Sequence, residues 1–289
     1  PSHSHNLDLC LKTLIRGFEM VKAGLLAEPV AISFAFPGPA DYKNGIIGDL
    51  PNFPSFRGGI ALGPMLKSIF KLPVLINNDG DLFTYGEAMA GILPDINRKL
   101  KQNNVNKEYR NLIGITLGTG FGGGLVVHNQ LCDGDNSAGG EIWLMRNFKN
   151  TKVFAEEGVS IRAVQRVYKE EAGTTETLSP KVIYEIAMGE REGNREAALK
   201  AFEEMAEVIG ESLCNAITLI DGIIVIGGGI AGASNLIVPK VVEYMNGTIE
   251  NLRGEELPRL VSKVYNLEDA ASLVDFMSWE TRSVRIPFT

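Results

Sequence analysis

LIGITLGTGFGGGLVV, residues Leu112 to Val127, sets a glycine-rich turn between two apolar runs. Within it, Gly118-x-Gly120-x-x-Gly123 has the spacing of a dinucleotide-binding fingerprint. That fingerprint needs a strand before the glycines and a helix after them, so that the helix N-terminus faces the pyrophosphate. LIGITL is apolar and β-branched and meets the first requirement. The second fails, because Gly124 is followed by LVV and the turn-like HNQ, which read as a second strand. The predicted unit is strand, glycine turn, strand. Such a turn holds phosphate when backbone N–H groups line a concave nest, and Thr119 adds a hydroxyl. No Gly-Lys-Ser/Thr follows, so it is not a Walker loop. The other reading of the same residues is a bulged, glycine-rich hairpin with no ligand.

The chain around it has 289 residues, 45% hydrophobic and 22% charged. These are the proportions of ordinary globular proteins, with length enough for two domains. Net charge is −7 and no Lys/Arg cluster stands out, so no nucleic-acid partner is expected. No apolar run approaches the roughly 20 residues that span a bilayer. The opening PSHSHNLDLC has neither the basic start nor the apolar core of a signal peptide. Cys10, Cys132 and Cys214 are far apart and form no Cys-x-x-Cys pair. A reducing, cytoplasmic setting without structural zinc is therefore expected.

Hydrophobic spacing predicts a helix over 7–26, where Leu7, Leu11, Leu14, Ile15, Phe18 and Val21 return to one face. VAISFAF is a buried-type strand ending at Pro37-Gly38-Pro39, a rigid turn. A helix over 60–70, the strand PVLINND and a helix from Asp81 to Ile92 follow. Residues 94–111 are strongly polar and read as an exposed, partly helical insertion. Beyond the glycine hairpin, helices are predicted over 160–172, 180–189, 194–220 and 233–246, with the strand GIIVI before the last. Strands alternating with helices imply an α/β protein.

A second glycine cluster, Gly227-x-Gly229-x-x-Gly232, closes GIIVI in the strand–loop–helix context that a dinucleotide needs. It raises a rival reading, an NAD- or FAD-dependent oxidoreductase. Two features weigh against it. The segment about 20 residues on, GTIENLRGEE, does not read as the acidic strand of that fold. The cluster also lies late in the chain, with too little sequence left for a full doubly wound sheet.

The polar landmarks are Asn52, Asn78-Asp79, Glu141 and Glu156. Asp79 follows an apolar strand, where ligand sites of α/β proteins open and a carboxylate acts as general base. It is equally a candidate helix N-cap, a job for which Asp81 competes. Glu141, in AGGEIWL, and Glu156, in FAEEGVS, each read alone as surface carboxylates.

Their order along the chain is more specific. AISFAFPGPAD, PNFPSF, VLINNDGDLFTYGEAMAG, GITLGTGFGGGLVV, AGGEIWL, AEEGVSIRAV and IIVIGGGIAG occur in the sequence used by the ROK family of sugar kinases and sugar-responsive repressors. From about residue 28 to 245 the chain resembles a glucokinase-type member. The resemblance implies an actin/hexokinase-like (ribonuclease H-like) α/β fold of two lobes around a cleft for sugar and ATP. The lobes would be 1–112, incomplete and carrying the polar insertion 94–111, and 113–289. Gly118, Thr119 and Gly120 match a phosphate segment, and Gly227, Gly228 and Gly229 the adenosine-side segment. Asp79 matches the catalytic base. Asn78, Glu141 and Glu156 match sugar ligands, and Asn52 a further sugar contact. ATP, Mg²⁺ bridging its phosphates, a hexose and a homodimer are implied. A hexose offers hydroxyls that carboxylates accept and an amide side chain can both donate to and accept from.

This sequence departs from the family pattern in four places. The family opens with a strand and an Asp-x-Gly-Gly-Thr phosphate loop, and neither is present, so these residues by themselves are expected to be inactive. Glu-Ile-Gly-His reads here Glu141-Ile142-Trp143-Leu144, with Leu144 in place of the histidine that touches sugar and, in many members, zinc. No cysteine-rich zinc loop lies between Leu144 and Glu156. The C-terminal segment diverges as well. A non-catalytic sugar-sensing regulator of the same family is the alternative reading, distinguished by a helix-turn-helix ahead of the lobes.

Overall fold

Helix α1 (Leu7–Ala23) starts where the Asn6 side chain accepts the Leu9 N–H at 3.0 Å, satisfying one of the donors a helix start leaves unpaired. The structure, a computed structural model, describes residues 3–38, 40–48 and 54–278. Its contacts divide the chain into two compact units, Pro1–Phe83 with Cys132–Gly140, and Thr84–Leu131 with Glu141–Thr289.

In the first unit, β1 (Ile32–Ala35) is followed by the short antiparallel pair β2 (Ala40–Asp41) and β3 (Ile46–Ile47), then α2 (Leu62–Phe70) and β4 (Val74–Asn77). Strands β1 and β4 are parallel, in register from Ile32 opposite Val74 to Ala35 opposite Asn77. The core behind them is Cys10, Phe36, Ile47, Phe56, Leu62, Leu66 and Ile76, with Phe18 edge-on to Phe34 at 5.0 Å. Phe56 is wholly buried, a burial worth ~1.5–3 kcal/mol. Because the strands run the same way, their C-terminal ends lie side by side, and the loops carrying Gly38 and Asn78 both leave from that edge.

Helix α3 (Asp79–Ala90) begins two residues before its predicted start, and the division between the units falls within it. It does not continue to Ile92. Gly91 breaks it, and the Glu87 carboxylate accepts the Ile92 N–H at 2.9 Å to open α4 (Ile92–Gln102). Residues 94–111 are partly helical and mostly exposed, as predicted, with Ile96 and Leu100 turned inward. Leu93, Ile96 and Leu100 recur at helical spacing and bury one face against Leu112, Val126, Ile223 and Phe276.

The second unit is built on one mixed sheet. Strands β5 (Leu112–Leu117), β6 (Phe121–Val127) and β7 (Gln130–Leu131) form an antiparallel run. Helices α5 (Ile161–Ala172), α6 (Pro180–Met188) and α7 (Arg195–Ile220) follow, then β8 (Ile223–Gly227), which pairs with β5 in parallel. The order is β7-β6-β5-β8. Helices α5, α6, α7 and α8 (Ser234–Met245) share a large apolar core with Ile113, Ile115, Leu117 and Phe121 of the sheet. Glycines permit two close approaches here. A Cβ on Gly114 would fall 2.1 Å from Thr84 Oγ1, and one on Gly210 2.7 Å from the Tyr244 ring.

The C-terminal segment, hardest to read from sequence, forms the hairpin β9 (Thr248–Glu250) and β10 (Glu256–Pro258) and helix α9 (Ala270–Met277). GTIENLRGEE thus does contain a short strand, contrary to expectation. It pairs antiparallel with β10 in a sheet separate from β8, so it does not supply the acidic strand of a dinucleotide fold. Arg259 and Tyr244 both donate to Glu211 Oε2, tying the segment after β10 to α7 and α8. Burial first, and the Glu211 carboxylate second, push the Tyr244 hydroxyl well above the usual tyrosine range. No helix among the described residues is long and apolar enough to cross a membrane.

Candidate functional site

At the C-terminal edge of β4, the side chain of Asn78 accepts the Gly80 N–H at 2.7 Å, and its carbonyl accepts the Leu82 N–H at 3.0 Å. Asn78 is therefore the cap of α3, a role the sequence reading had left between Asp79 and Asp81. Asp79 stands at the first helical position, solvent-exposed, where the helix dipole favours a negative charge. Its Oδ1 lies 3.1 Å from the Gly80 N–H. Beside it, a Cβ on Gly38 would meet Tyr42 Oη at 2.5 Å and Asn78 Nδ2 at 3.4 Å. A glycine there keeps the two loops close.

The glycine stretch is the strand–turn–strand unit the sequence predicts. β5 and β6 pair from Leu112 opposite Val126 to Leu117 opposite Phe121, leaving Gly118, Thr119 and Gly120 as the turn. Gly118 N–H donates to Gly120 O at 3.1 Å, Gly118 O accepts the Ile161 N–H at 2.9 Å, and Thr119 is exposed at the tip. The second glycine loop lies alongside, because β8 pairs with β5 in parallel and puts Gly227 opposite Thr116. Gly228 has φ +92°, and a Cβ on it would fall 2.4 Å from Leu117 O. No other residue fits there. A Cβ on Gly118 or Gly229 would meet nothing within 4 Å. The two turns thus bound open space with bare backbone, which is what a phosphate-bearing ligand needs.

Glu156 belongs to this cluster. Its Oε2 accepts the Phe121 N–H at 3.0 Å and its Oε1 accepts from Arg162 at 2.8 Å. Arg162 also holds Glu157 at 2.8 Å, and these carboxylates, Glu157 foremost, raise its already high pKa. A side chain that read as surface charge instead braces the glycine hairpin.

Glu141 precedes a single 3-10 turn, Ile142–Leu144, and accepts from the Trp143 indole N–H. Trp143 packs edge-on against Phe154 at 5.3 Å. Backbone bonds from Ala155 N–H to Met145 O at 2.6 Å and from Asn147 N–H to Val153 O at 3.1 Å close residues 145–155 into a clip. Leu144 is 57% exposed and supplies no polar group.

Of the sequence-predicted residues, Gly118, Thr119, Gly120, Gly227, Gly228, Gly229 and Glu156 come together in the second unit, with Glu141 at the far end of the clip that leads to Glu156. Asn78 and Asp79 meet at the strand edge of the first unit. Asn52 lies outside the described residues. Sequence reasoning did not find Trp143 or the Glu156–Phe121 bond. Among the described residues, no three His, Cys, Asp or Glu side chains gather in a metal-holding group.

The model of the ROK family matches residues 9–274. The glucokinase of Thermotoga maritima is 26% identical over 242 residues, covering 75% of this chain and 71% of that protein. The first curated relatives are spanned over 56 to 71% of their own length. Among solved structures, the glucokinase of Parabacteroides distasonis is 54% identical with TM-score 0.88, covering all of this chain and 79% of that one. A ROK family glucokinase from Streptomyces griseus, solved in complex with glucose and AMPPNP, superposes with TM-score 0.66 at 21% identity, covering 83% of this chain and 78% of that one. The fold is the α/β actin/hexokinase-like one.

Proposed function

The chain belongs to the ROK family, and from that premise we propose that it is an ATP-dependent hexose kinase, placing the γ-phosphoryl group on a primary hydroxyl of a sugar such as glucose. One observation carries the reading. Two glycine turns on adjacent parallel strands leave bare backbone around open space, and a candidate sugar-binding carboxylate, Glu156, is bonded to one of them. Relatives described as glucokinases support it.

In this reading, the N–H groups around Gly118–Gly120, with the Thr119 hydroxyl, bind the phosphates, and Gly227–Gly229 bind the nucleoside side. Asp79 accepts the proton of the attacking hydroxyl. Asn78, Glu141, Glu156 and Asn52 orient the sugar ring. Little covalent work falls to the protein in phosphoryl transfer, so positioning and charge stabilisation supply most of the acceleration. Mg²⁺, held chiefly by the nucleotide phosphates rather than by a protein cage, would neutralise their charge. The working form is a homodimer by family resemblance. The sugar-sensing regulator reading has less support, since the relative of highest identity above is a glucokinase.

Incubating the full-length protein with ATP, Mg²⁺ and a panel of hexoses and N-acetylhexosamines, then reading products by phosphorus NMR, tests this. A sugar phosphorylated at its primary hydroxyl is expected. Unchanged ATP across the panel overturns the proposal.

A further inference from the structure

We infer that Trp143 is a positioning residue that sets how the site grips its sugar, by holding one oxygen of Glu141 through the indole N–H. The inference rests on the kinase reading and names a determinant of its specificity.

The donor–acceptor pair is direct. Glu141 Oε2 accepts from Trp143 Nε1 across two residues of a tight turn. The turn between them is 3-10, with Leu144 N–H on Glu141 O at 3.1 Å and Met145 N–H on Ile142 O at 3.1 Å. The indole is itself fixed. It is half-buried and stands edge-on to Phe154, whose backbone pairs with Arg146 across the clip. Phe154 on one side and the Glu141 carboxylate at the indole N–H thus orient the ring.

The consequence concerns the carboxylate. An ionised carboxylate has two acceptor oxygens and can span two neighbouring hydroxyls. With Oε2 taken by the indole, Oε1 is the carboxylate oxygen left to accept from a ligand. A carboxylate held at one oxygen loses less rotamer entropy when a sugar hydroxyl binds the other. The Leu144 side chain, exposed and apolar, offers no hydrogen-bonding group beside it. The polar contact at this turn therefore comes from the Trp143–Glu141 pair, and recognition there is of one hydroxyl rather than two.

The test compares the wild-type full-length protein with Trp143→Phe and Trp143→His. Phenylalanine keeps the ring against Phe154 and loses the N–H; histidine keeps an N–H and loses ring area. Expected is a rise in the hexose KM of roughly tenfold for Trp143→Phe, the scale of one hydrogen bond to a charged group. The KM for ATP should stay put, kcat should fall by less than about threefold, and Trp143→His should recover part of the loss. In a Glu141→Gln background, Trp143→Phe should cost less than it does alone, because both act through one bond. A hexose KM within about twofold of wild type, equal losses in the Phe and His variants, or full additivity with Glu141→Gln overturns the inference while wild-type activity keeps the kinase reading intact. Absence of any sugar phosphorylation by the wild type overturns the kinase reading, and this inference falls with it. A readout on the Trp143-containing protein covers poor folding of either variant. In Trp279→Phe protein, where Trp143 is the one indole among residues 1–289, hexose should change the emission saturably relative to the same protein carrying Trp143→Phe as well, and no difference between the two under saturating sugar contradicts the inference.

Discussion

Glu156 Oε2 accepts the backbone N–H of Phe121 at 3.0 Å, across 35 positions of sequence. The residue that matches a sugar ligand is thereby bonded to the glycine hairpin that matches a phosphate loop. A Cβ on Gly120 would sit 2.5 Å from the same oxygen, so the contact also explains why that turn position is a glycine.

The first prediction separates the two glutamates. Glu156→Ala removes a proposed sugar ligand and a brace of the hairpin together, so KM for sugar and KM for ATP should both rise, each by roughly tenfold or more. Glu141→Ala should raise the sugar KM alone. Initial-rate kinetics with each substrate varied in turn reads this out, and an unchanged ATP KM in Glu156→Ala removes the bracing role.

A second prediction concerns Asp79. Because Asn78 already caps α3, Asp79→Asn should lower the thermal midpoint by no more than about 4 °C, given that helix-end charge effects are small at exposed sites. It removes the charge proposed to take the hydroxyl proton, so kcat should fall on the order of 10²- to 10⁴-fold with sugar binding largely kept. A variant within about twofold of wild-type kcat rules out Asp79 as the base.

The third prediction is structural. Gly228→Ala forces a side chain onto a backbone at φ +92° and against Leu117 O. The stability loss should be at least ~1–3 kcal/mol from backbone strain alone, measured by urea unfolding. Full stability in that variant would mean that the β5–β8 approach is looser than described.

Zinc supplies a fourth. The sequence lacks the family's cysteine loop and carries Leu144 at the histidine position, while a structural zinc needs four such ligands. Metal analysis of chelator-washed protein should find zinc well below one equivalent. A stoichiometric content would require ligands that the motif comparison does not reveal.

The parts legible in the sequence were those written in local pattern. The strand–glycine–strand stretch predicted the β5–β6 hairpin because apolar β-branched runs and side-chain-free turn residues act within a few positions. Helical spacing placed α1, α5, α6 and α7 to within a few residues. Long-range partners were not legible. Glu156 looked like surface charge because its donor, Phe121 N–H, is remote in the chain, and Arg259 gave no sign that it reaches Glu211. Residues 94–111 are mostly exposed and partly helical, as their charge content implies, but that content hides the i, i+3, i+7 spacing of Leu93, Ile96 and Leu100. At Asn78 the competition was between neighbours, and only backbone geometry shows which side chain reaches the helix N–H groups. The family resemblance supplied candidate roles, but how Trp143 engages Glu141 was visible only once the 3-10 turn was seen.

The central claim is phosphoryl transfer from ATP to a hexose, and hexose-dependent ADP release by the full-length protein tests it most directly. The account predicts an ADP rate with glucose or a closely related hexose that exceeds the sugar-free rate by at least about 100-fold, in keeping with the scale of enzymatic acceleration. Saturable sugar binding with no ADP released above the sugar-free rate would contradict it and leave a sensor in place of a kinase.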